Sequence, residues 1–394
     1  MNDGIEPMKV AIAALGQNPR MPTGLLSYFG QLARFLPQVD RGSDYHFAVT
    51  RSSAPVIGDG ADSVMDEFWP DSQSRYGRLL SEHFFLGPWL HLKRFDVLFI
   101  ANAGTRPLLL PSSVRLVQGI FGFHQFETGQ INGLTSLYRK LLFGATLKRA
   151  DFIVLNSHYS KTLLDRHAKV DPDRVRIISH GHNDKLFHAG PETEAEKQIA
   201  ETLCLPPRYV AIVSQMYPYK NIETAVEGYC RFIKRTGAPH DLVLVGQFSR
   251  SFGDGEAYRQ RLIATAAAHG FERRLHFHAN VPVKALRCLY LRAEAYIQPS
   301  TSETFGRTTV EAMACGCPVV AARAAATPEV LGKAGLYFES QDADACATWL
   351  EQFALHPALR ADYVARGIAR AHYFSFAEEA RRLAAVFKEA ASLG

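Results

Sequence analysis

Short apolar runs with no polar alternation recur along the chain, and stretches with helical periodicity separate them. The first run covers residues 9–15, and a helix pattern follows it over residues 25–36. Runs that are apolar at every position are typical of strands buried on both faces, as in parallel sheets. The alternation of strand and helix signals predicts a doubly wound α/β sheet. Later strands of this first series are predicted at residues 45–49, 97–100, 114–118, 152–155 and 175–178.

A charged stretch interrupts the pattern between residues 186 and 203, and a second strand–helix series follows it. We therefore predict two Rossmann-like domains, residues 1–188 and 189–370. They are expected to face a central cleft, because doubly wound sheets bind ligands at the carboxyl ends of their strands. The final segment, residues 371–394, is predicted to be a helix that packs back toward the first domain. Strands of the second series are predicted at residues 209–213, 242–245, 275–277, 295–297 and 319–321, with a helix at 222–236.

Length and charge narrow the class of protein. The 394 residues suit two domains, and the net charge of +5 is a modest basic excess. This balance suits anionic substrates or an anionic membrane surface, and it is too weak to indicate a nucleic-acid partner. All six cysteines follow residue 200 without the spacing of a zinc site, so we interpret them as reduced core residues. We expect no secretory signal and no membrane-spanning segment, because neither pattern is found in the sequence.

The candidate chemistry centres on residues 299–320, where a polar loop follows an apolar strand and leads into a helix pattern. Unpaired N–H groups and the positive dipole end make a helix N-terminus attractive to anions. Glu303 precedes this N-terminus and Glu311 lies inside the helix, so the two carboxylates would flank a bound phosphate. This arrangement suits a ligand with hydroxyls at both ends and phosphates in the middle, such as a nucleotide sugar. The alternative is a solvated loop acid and a surface helix acid.

A lysine follows the first strand of the second series. Lys220 comes shortly after the strand predicted at residues 209–213. In a parallel sheet, the loop after a strand faces the ligand, and a lysine supplies a compact positive charge suited to a diphosphate. The alternative is a solvated loop lysine.

The two glutamates are separated by seven residues and followed by Gly316-Cys-Pro-Val-Val, a pattern that resembles the signature of glycosyltransferase family 4. Other pieces of the family pattern stand in the expected order: Gly24 in the first strand–loop–helix turn, Ser157 before a helix, and Lys220. The resemblance implies the GT-B fold and a retaining transfer reaction with no metal ion and no other cofactor. It also implies a nucleotide-sugar donor held mainly by the second domain and an acceptor held by the first.

The resemblance further implies roles for individual residues. Glu303 would hold hydroxyls of the donor sugar, and Glu311 would hold the ribose. Lys220 and the N–H groups near Gly306 would neutralise the leaving diphosphate. The remaining candidates around the donor are Thr304, Phe305 and Gly24.

One donor-binding position departs from the family pattern. Ser214-Gln215 stand where the family usually has Gly-Arg, so one of the two expected cations is missing and Gln215 occupies its place. Arg307 is a candidate replacement, because it follows Gly306 at the predicted helix N-terminus. The alternative for Arg307 is a solvated surface arginine.

A histidine completes the catalytic candidates. Relatives often place a histidine just after the strand that corresponds to residues 114–118, and the first histidine here is His124. With Glu303 and Lys220, His124 is therefore a third catalytic candidate and is expected to touch the sugar. The alternative is a histidine packed among the neighbouring aromatic residues.

These observations favour a hexosyltransferase that moves a sugar from a UDP- or GDP-linked donor to a glycan or lipid-linked saccharide, in cell-surface polysaccharide synthesis such as that of lipopolysaccharide. The alternatives are an epimerase or phosphorylase on the same fold, or an inactive subunit that binds sugar nucleotides. Residues 137–149 carry four basic residues and no acid, which suits either an anionic membrane surface or a core-facing helix. The expected location is the cytoplasm, free or at the inner face of the membrane.

Overall fold

The structure is a computed structural model that describes residues 6–17, 19, 24–69, 81–101, 109–123, 143–248, 254–279 and 281–393. The chain forms two compact units. The first combines Met1–Ser179 with Phe376–Gly394, and the second is His180–Ser375. The chain therefore enters the second unit once and returns to the first for its final helix.

Each unit is built on one parallel sheet. The first sheet has seven strands in the order β3-β2-β1-β4-β5-β6-β7, and the second has six in the order β10-β9-β8-β11-β12-β13. The strands are β1 Met8–Ala13, β2 Ser43–Thr50, β3 Val64–Phe68, β4 Val97–Ile100, β5 Arg115–Ile120, β6 Phe152–Leu155, β7 Val175–Ile177, β8 Tyr209–Val213, β9 Asp241–Val245, β10 Leu275–His278, β11 Ala295–Gln298, β12 Val319–Ala322 and β13 Gly335–Phe338. The predicted fold class, two doubly wound Rossmann-like sheets, is confirmed.

Helices connect the strands. The α-helices described over their full length are α1 Gly24–Val39, α2 Ala54–Ile57, α3 Leu86–Leu92, α4 His158–His167, α5 Glu194–Glu201, α6 Ile222–Thr236, α7 Gly255–Ala267, α8 Val283–Arg292, α9 Arg307–Ala314, α10 Thr327–Leu331, α11 Ala343–Leu355, α12 Pro357–Ala371 and α13 Phe376–Ala391. Ser157 caps α4, as its sequence position predicted, by accepting a hydrogen bond from the Ser160 N–H at 3.0 Å. A capping side chain of this kind satisfies an otherwise unpaired donor.

The sequence predicted every described strand that lies inside a sheet, and also the edge strands β7 and β10. Every residue of β4, β6 and β8 is buried, as their unbroken apolar runs indicated. The two strands missed, β3 and β13, lie at sheet edges. Val64 and Glu67 of β3 are exposed, so this strand shows no apolar run in the sequence. Exposed positions of this kind break the apolar run that marks a buried strand. Strand β13, in contrast, was missed although most of it is buried.

The final helix α13 packs into the core of the first unit. Phe376 and Phe387 are almost fully buried there, with the Phe376 ring centroid 5.8 Å from that of Tyr28 and 5.6 Å from that of Phe35. At its last turn the Lys388 ammonium lies 2.9 Å from the Asp40 carboxylate. The last helix of the chain is therefore part of the first unit's core.

The strand order of the second sheet locates its ligand edge. Strands β8 and β11 are neighbours, and the chain proceeds from them in opposite directions across the sheet. Such a reversal opens a crevice at the carboxyl ends of the two strands, where ligands bind in this class of sheet. The loop that carries Lys220 follows β8, and the loop that carries Glu303 follows β11.

Candidate functional site

The N-terminus of α9 is shaped by a glycine that no other residue can replace without strain. Gly306 has φ 87°, a left-handed conformation that side chains disfavour. A Cβ atom there would lie 3.3 Å from both the Gln298 amide nitrogen and Glu303 Cγ. No side chain caps the helix within the described part of the chain, so its first N–H groups suit an anionic ligand.

Lys220 and Glu303 form an ion pair across the two loops at the crevice. Their side chains are only 12% and 19% exposed, so neither is an ordinary solvated loop residue. The Lys220 ammonium also lies 5.3 Å from the centre of the Tyr219 ring, within range of a cation–π interaction. The structure thus brings together two of the three catalytic candidates.

Backbone contacts hold the two loops against each other. The Tyr219 carbonyl accepts hydrogen bonds from the Thr301 hydroxyl at 3.0 Å and the Thr301 N–H at 3.3 Å. Asn221 has φ 53° and directly precedes α6, and its amide donates to the Pro299 carbonyl at 3.2 Å. The position of Lys220 is therefore set by residues on both sides of the crevice.

Glu311 is a buried carboxylic acid inside α9. Burial raises its pKa to about 7, and the nearby Arg307 guanidinium partly opposes that shift. Among the described residues, no side chain or backbone group forms a hydrogen bond with its carboxyl group. A buried carboxylate without partners is costly, so this group is well suited to accept hydrogen bonds from a ligand.

Arg307 lies one helical turn before Glu311, on the same face of α9. Its side chain is partly exposed. Its guanidinium forms no hydrogen bond or close ion pair within the described ranges. The charge at the start of α9 is therefore available to an anion.

The other loop candidates divide into buried and exposed positions. Phe305 is buried, and its ring meets His180 and Phe374 edge-on, with both centroid separations at 5.5 Å. Its ring thus belongs to the core, and any donor contact falls to its backbone. Thr304 is also buried, whereas Gln215 is exposed.

The loop that carries Gln215 passes very close to a neighbouring strand end. A Cβ atom on Gly246, which has φ 145°, would lie 1.7 Å from the Ser214 carbonyl oxygen. Only glycine permits this approach. The Gln215 carbonyl accepts the Tyr217 N–H at 2.9 Å, while its neutral side chain adds no charge to that of Lys220.

The last two candidates, Gly24 and His124, come from the first part of the sequence. Gly24 begins α1, and no atom lies within 4 Å of a Cβ built on it. His124 lies outside the described residues.

The sequence patterns did not identify the residues that support the site. Tyr219 packs beside Lys220, and the buried Gln298 amide donates to the Thr309 hydroxyl at 3.2 Å behind Gly306. The only signal for Tyr219 was its place in Tyr-Pro-Tyr-Lys, directly before the lysine. The only signal for Gln298 was its polar side chain directly after the apolar strand predicted at residues 295–297.

The described residues contain neither a cluster of metal-binding side chains nor a membrane-spanning helix. Within them, no group of three or more His, Cys, Asp or Glu side chains is arranged to hold a metal ion. Across the same ranges, none of the helices has the length and apolar character needed to cross a membrane.

Sequence models of known families match both halves of the chain. The Glycosyltransferase Family 4 model matches residues 22–186, and the model for group 1 glycosyl transferases matches residues 194–370. The chain belongs to glycosyltransferase family 4. The resemblance predicted from the glutamate pair is thereby confirmed.

Two curated relatives illustrate the range of this family. A D-inositol 3-phosphate glycosyltransferase from Corynebacterium efficiens is 28% identical over 260 residues, which are 64% of this chain and 59% of the relative. The O-antigen chain mannosyltransferase B of Escherichia coli is 33% identical over 168 residues, 43% of this chain and 42% of the relative. The aligned regions span less than two thirds of each relative's own length.

A solved structure shares the fold over nearly the whole chain. HepE of Anabaena, determined in complex with UDP and glucose, superposes with a TM-score of 0.74 at 16% identity. The match covers 97% of this chain and 100% of HepE. This likeness supports the GT-B fold that the sequence predicted.

Proposed function

We propose that this protein is a retaining glycosyltransferase that transfers a hexose from a UDP- or GDP-linked donor. The observation that carries the proposal is the start of α9, an uncapped helix N-terminus with Glu303 and Lys220 before it and Glu311 inside it. A nucleotide sugar has the matching sequence of groups: sugar hydroxyls, two phosphates and ribose hydroxyls. The solved complex of HepE with UDP and glucose gives this assignment independent support.

In this proposal, protein charges neutralise the diphosphate and no metal ion is required. Lys220, Arg307 and the first N–H groups of α9 would stabilise the charge that grows on the leaving diphosphate. Preorganised donors of this kind act where charge develops in the transition state. We therefore expect a chelator such as EDTA to leave turnover unchanged.

The carboxylates have binding roles. Glu303 would accept hydrogen bonds from the donor sugar, and Glu311 from the ribose. We do not assign a glutamate nucleophile. His124 is proposed as a catalytic residue that touches the sugar. Gly24, Thr304, Phe305 and Gln215 are proposed as donor-binding residues.

The acceptor is proposed to be a glycan or a lipid-linked saccharide, with the reaction in the cytoplasm or at the inner membrane face. The name of the Escherichia coli relative, an O-antigen chain mannosyltransferase, supports an acceptor of cell-surface polysaccharide. Of the basic stretch at residues 137–149, the structure describes residues 143–149. This part supports a core-facing helix, because Phe143 and Leu147 are buried and the Arg149 guanidinium lies 3.2 Å from the Asp151 carboxylate. Lys148 is exposed there.

The test is donor turnover by the purified protein. UDP- and GDP-linked hexoses are incubated with lipid-linked oligosaccharide acceptors, and released nucleoside diphosphate is measured. NMR of the product then reports whether the anomeric configuration of the donor is retained. Turnover with a retained anomer supports the proposal. Binding of a nucleotide sugar without turnover or donor hydrolysis would favour the inactive-subunit alternative, which the uncharged Gln215 keeps open.

A further inference from the structure

Lys220 and Glu303 form an ion pair with each other, yet in the proposed function they bind different parts of the nucleotide sugar. Lys220 would bind the diphosphate, and Glu303 would bind the sugar hydroxyls. We infer that Glu303 competes with the diphosphate for Lys220, so that this site disfavours free nucleoside diphosphate and favours the intact donor. The inference rests on the proposed function, because it requires a nucleotide at the crevice of the second unit. It adds to the sugar-binding role of Glu303 a second role in discriminating between donor and product.

The surroundings of the ammonium leave it few directions for a further partner. The Glu303 carboxylate occupies one side of Lys220, and the Tyr219 ring lies 5.3 Å away on another. Lys220 is also the only cation in the loop of residues 214–221, because Gln215 is neutral. A diphosphate that reaches this loop therefore meets a cation that is already paired.

Electrostatics makes the two anions incompatible around one ammonium. A diphosphate carries more than one negative charge, and like charges a few ångströms apart destabilise each other, more strongly in a partly buried site than in water. Glu303 is only 19% exposed, so solvent screens it incompletely. Binding of the diphosphate to Lys220 should therefore displace the carboxylate.

The displaced Glu303 carboxylate needs new groups that donate hydrogen bonds to it. The intact nucleotide sugar supplies such groups, and the free nucleoside diphosphate does not. Hydroxyls of the transferred sugar would satisfy Glu303 in the donor complex, and a hydrogen bond to a charged group is among the stronger ones in proteins. After sugar transfer these hydroxyls leave with the product glycan. Glu303 would then return to Lys220 and promote release of the nucleoside diphosphate.

The test is titration calorimetry with UDP, GDP and the matching monophosphates. The proteins compared are the wild type, Glu303→Gln, Lys220→Ala and the double variant. Removing one nearby negative charge should raise nucleoside diphosphate affinity about tenfold in Glu303→Gln, with monophosphate affinity unchanged. In the Lys220→Ala background the same substitution should have no effect, because the shared cation is gone.

A matched control removes an acid of the same kind far from the crevice. Glu272 is exposed and lies at the amino end of the edge strand β10, whereas the crevice lies at the carboxyl ends of β8 and β11. Glu272→Gln should therefore bind both nucleotides like the wild type. Melting temperatures are recorded for every variant. If Glu303→Gln is unstable, Glu303→Ala replaces it, because it also removes the charge.

The outcomes separate this inference from the proposed function. If a folded Glu303 variant binds nucleoside diphosphate no more tightly than a wild type that does bind it, competition is refuted and the proposed function stands. An equal gain in the Lys220→Ala background also refutes competition, because the effect would not pass through Lys220. Failure of the wild type to bind any of these nucleotides overturns both.

Discussion

Among the residues of the candidate site, Glu311 is a carboxylic acid whose chemistry is changed by burial. Burial raises its pKa to about 7, from an ordinary value of 4.5 for a glutamate carboxyl. The folded protein therefore binds an extra proton between these two pH values, and the unfolded chain does not. Stability should fall as the pH rises through this range, because the charged carboxylate is the form that burial disfavours.

Glu311→Gln should remove this pH dependence. A shift of this size corresponds to about 3 kcal/mol, so the variant should exceed the wild type in unfolding free energy by roughly that amount near pH 8. Near pH 5 the two should differ little. Chemical denaturation at both pH values measures the difference, with the exposed-acid variant Glu272→Gln as a control. A stability difference between the variant and the wild type that is the same at both pH values would show that the pKa of Glu311 is not raised.

Lys220→Ala should reduce turnover much more than stability. The ammonium is proposed to stabilise charge on the leaving diphosphate, and loss of one such group typically costs about 100- to 1,000-fold in kcat. The measurement is steady-state donor turnover beside a melting curve. A variant with normal turnover and an unchanged melting temperature would return Lys220 to the alternative, a loop lysine with no part in turnover.

At the scale of elements, the start of α9 depends on one backbone conformation. Gly306 has φ 87°, and a Cβ atom there would crowd Gln298 and Glu303 at 3.3 Å. The turn at Gly306 sets where α9 begins. It therefore positions both the first N–H groups of the helix and the neighbouring Glu303 side chain. Loss of the turn should affect both fold and binding.

Gly306→Ala should destabilise the protein by about 1–3 kcal/mol and weaken nucleotide binding. The cost combines the left-handed backbone with the crowding of a buried amide. Gly24→Ala is the matched control, because Gly24 lies in a helix with open space around its Cα. That change should be neutral or slightly stabilising. Equal losses of stability in both variants would show that backbone strain at Gly306 is not the cause.

The elements also show what the sequence could and could not predict. The strands β4, β6 and β8 were predicted at their observed bounds, because each is a run of buried apolar residues. The edge strand β3 was missed because solvent-facing positions break such a run. Strand β13 was also missed, although most of it is buried. The Lys220–Glu303 ion pair could not be predicted from spacing. It joins residues 83 positions apart, and that contact depends on how two loops pack.

At the scale of the whole molecule, the chain ends in the unit where it began. Helix α13 supplies Phe376, Leu383 and Phe387 to the core of the first unit, and all three are almost fully buried. The sequence indicated a final helix from its pattern. Its partners, such as Tyr28 and Phe35, could be identified only from the folded structure.

Deletion of residues 376–394 should therefore unfold the first unit. Each large buried side chain contributes about 1.5–3 kcal/mol, and three of them together approach the whole stability margin of a typical domain. Removal of residues 392–394 alone is the control and should have a small effect. Circular dichroism and solubility decide the result. A soluble, cooperatively melting deletion variant would show that α13 is dispensable for the fold.

The most direct test of the central claim is calorimetric titration of UDP and GDP into the wild type and Glu311→Ala. The account predicts that the wild type binds at least one nucleotide and that Glu311→Ala binds it more weakly. A hydrogen bond from ribose to a charged acceptor contributes about 1.5–3 kcal/mol, so affinity should fall roughly 10- to 100-fold. Equal affinity in a folded Glu311→Ala, or no binding by the wild type, would contradict the placement of a nucleotide sugar at the start of α9.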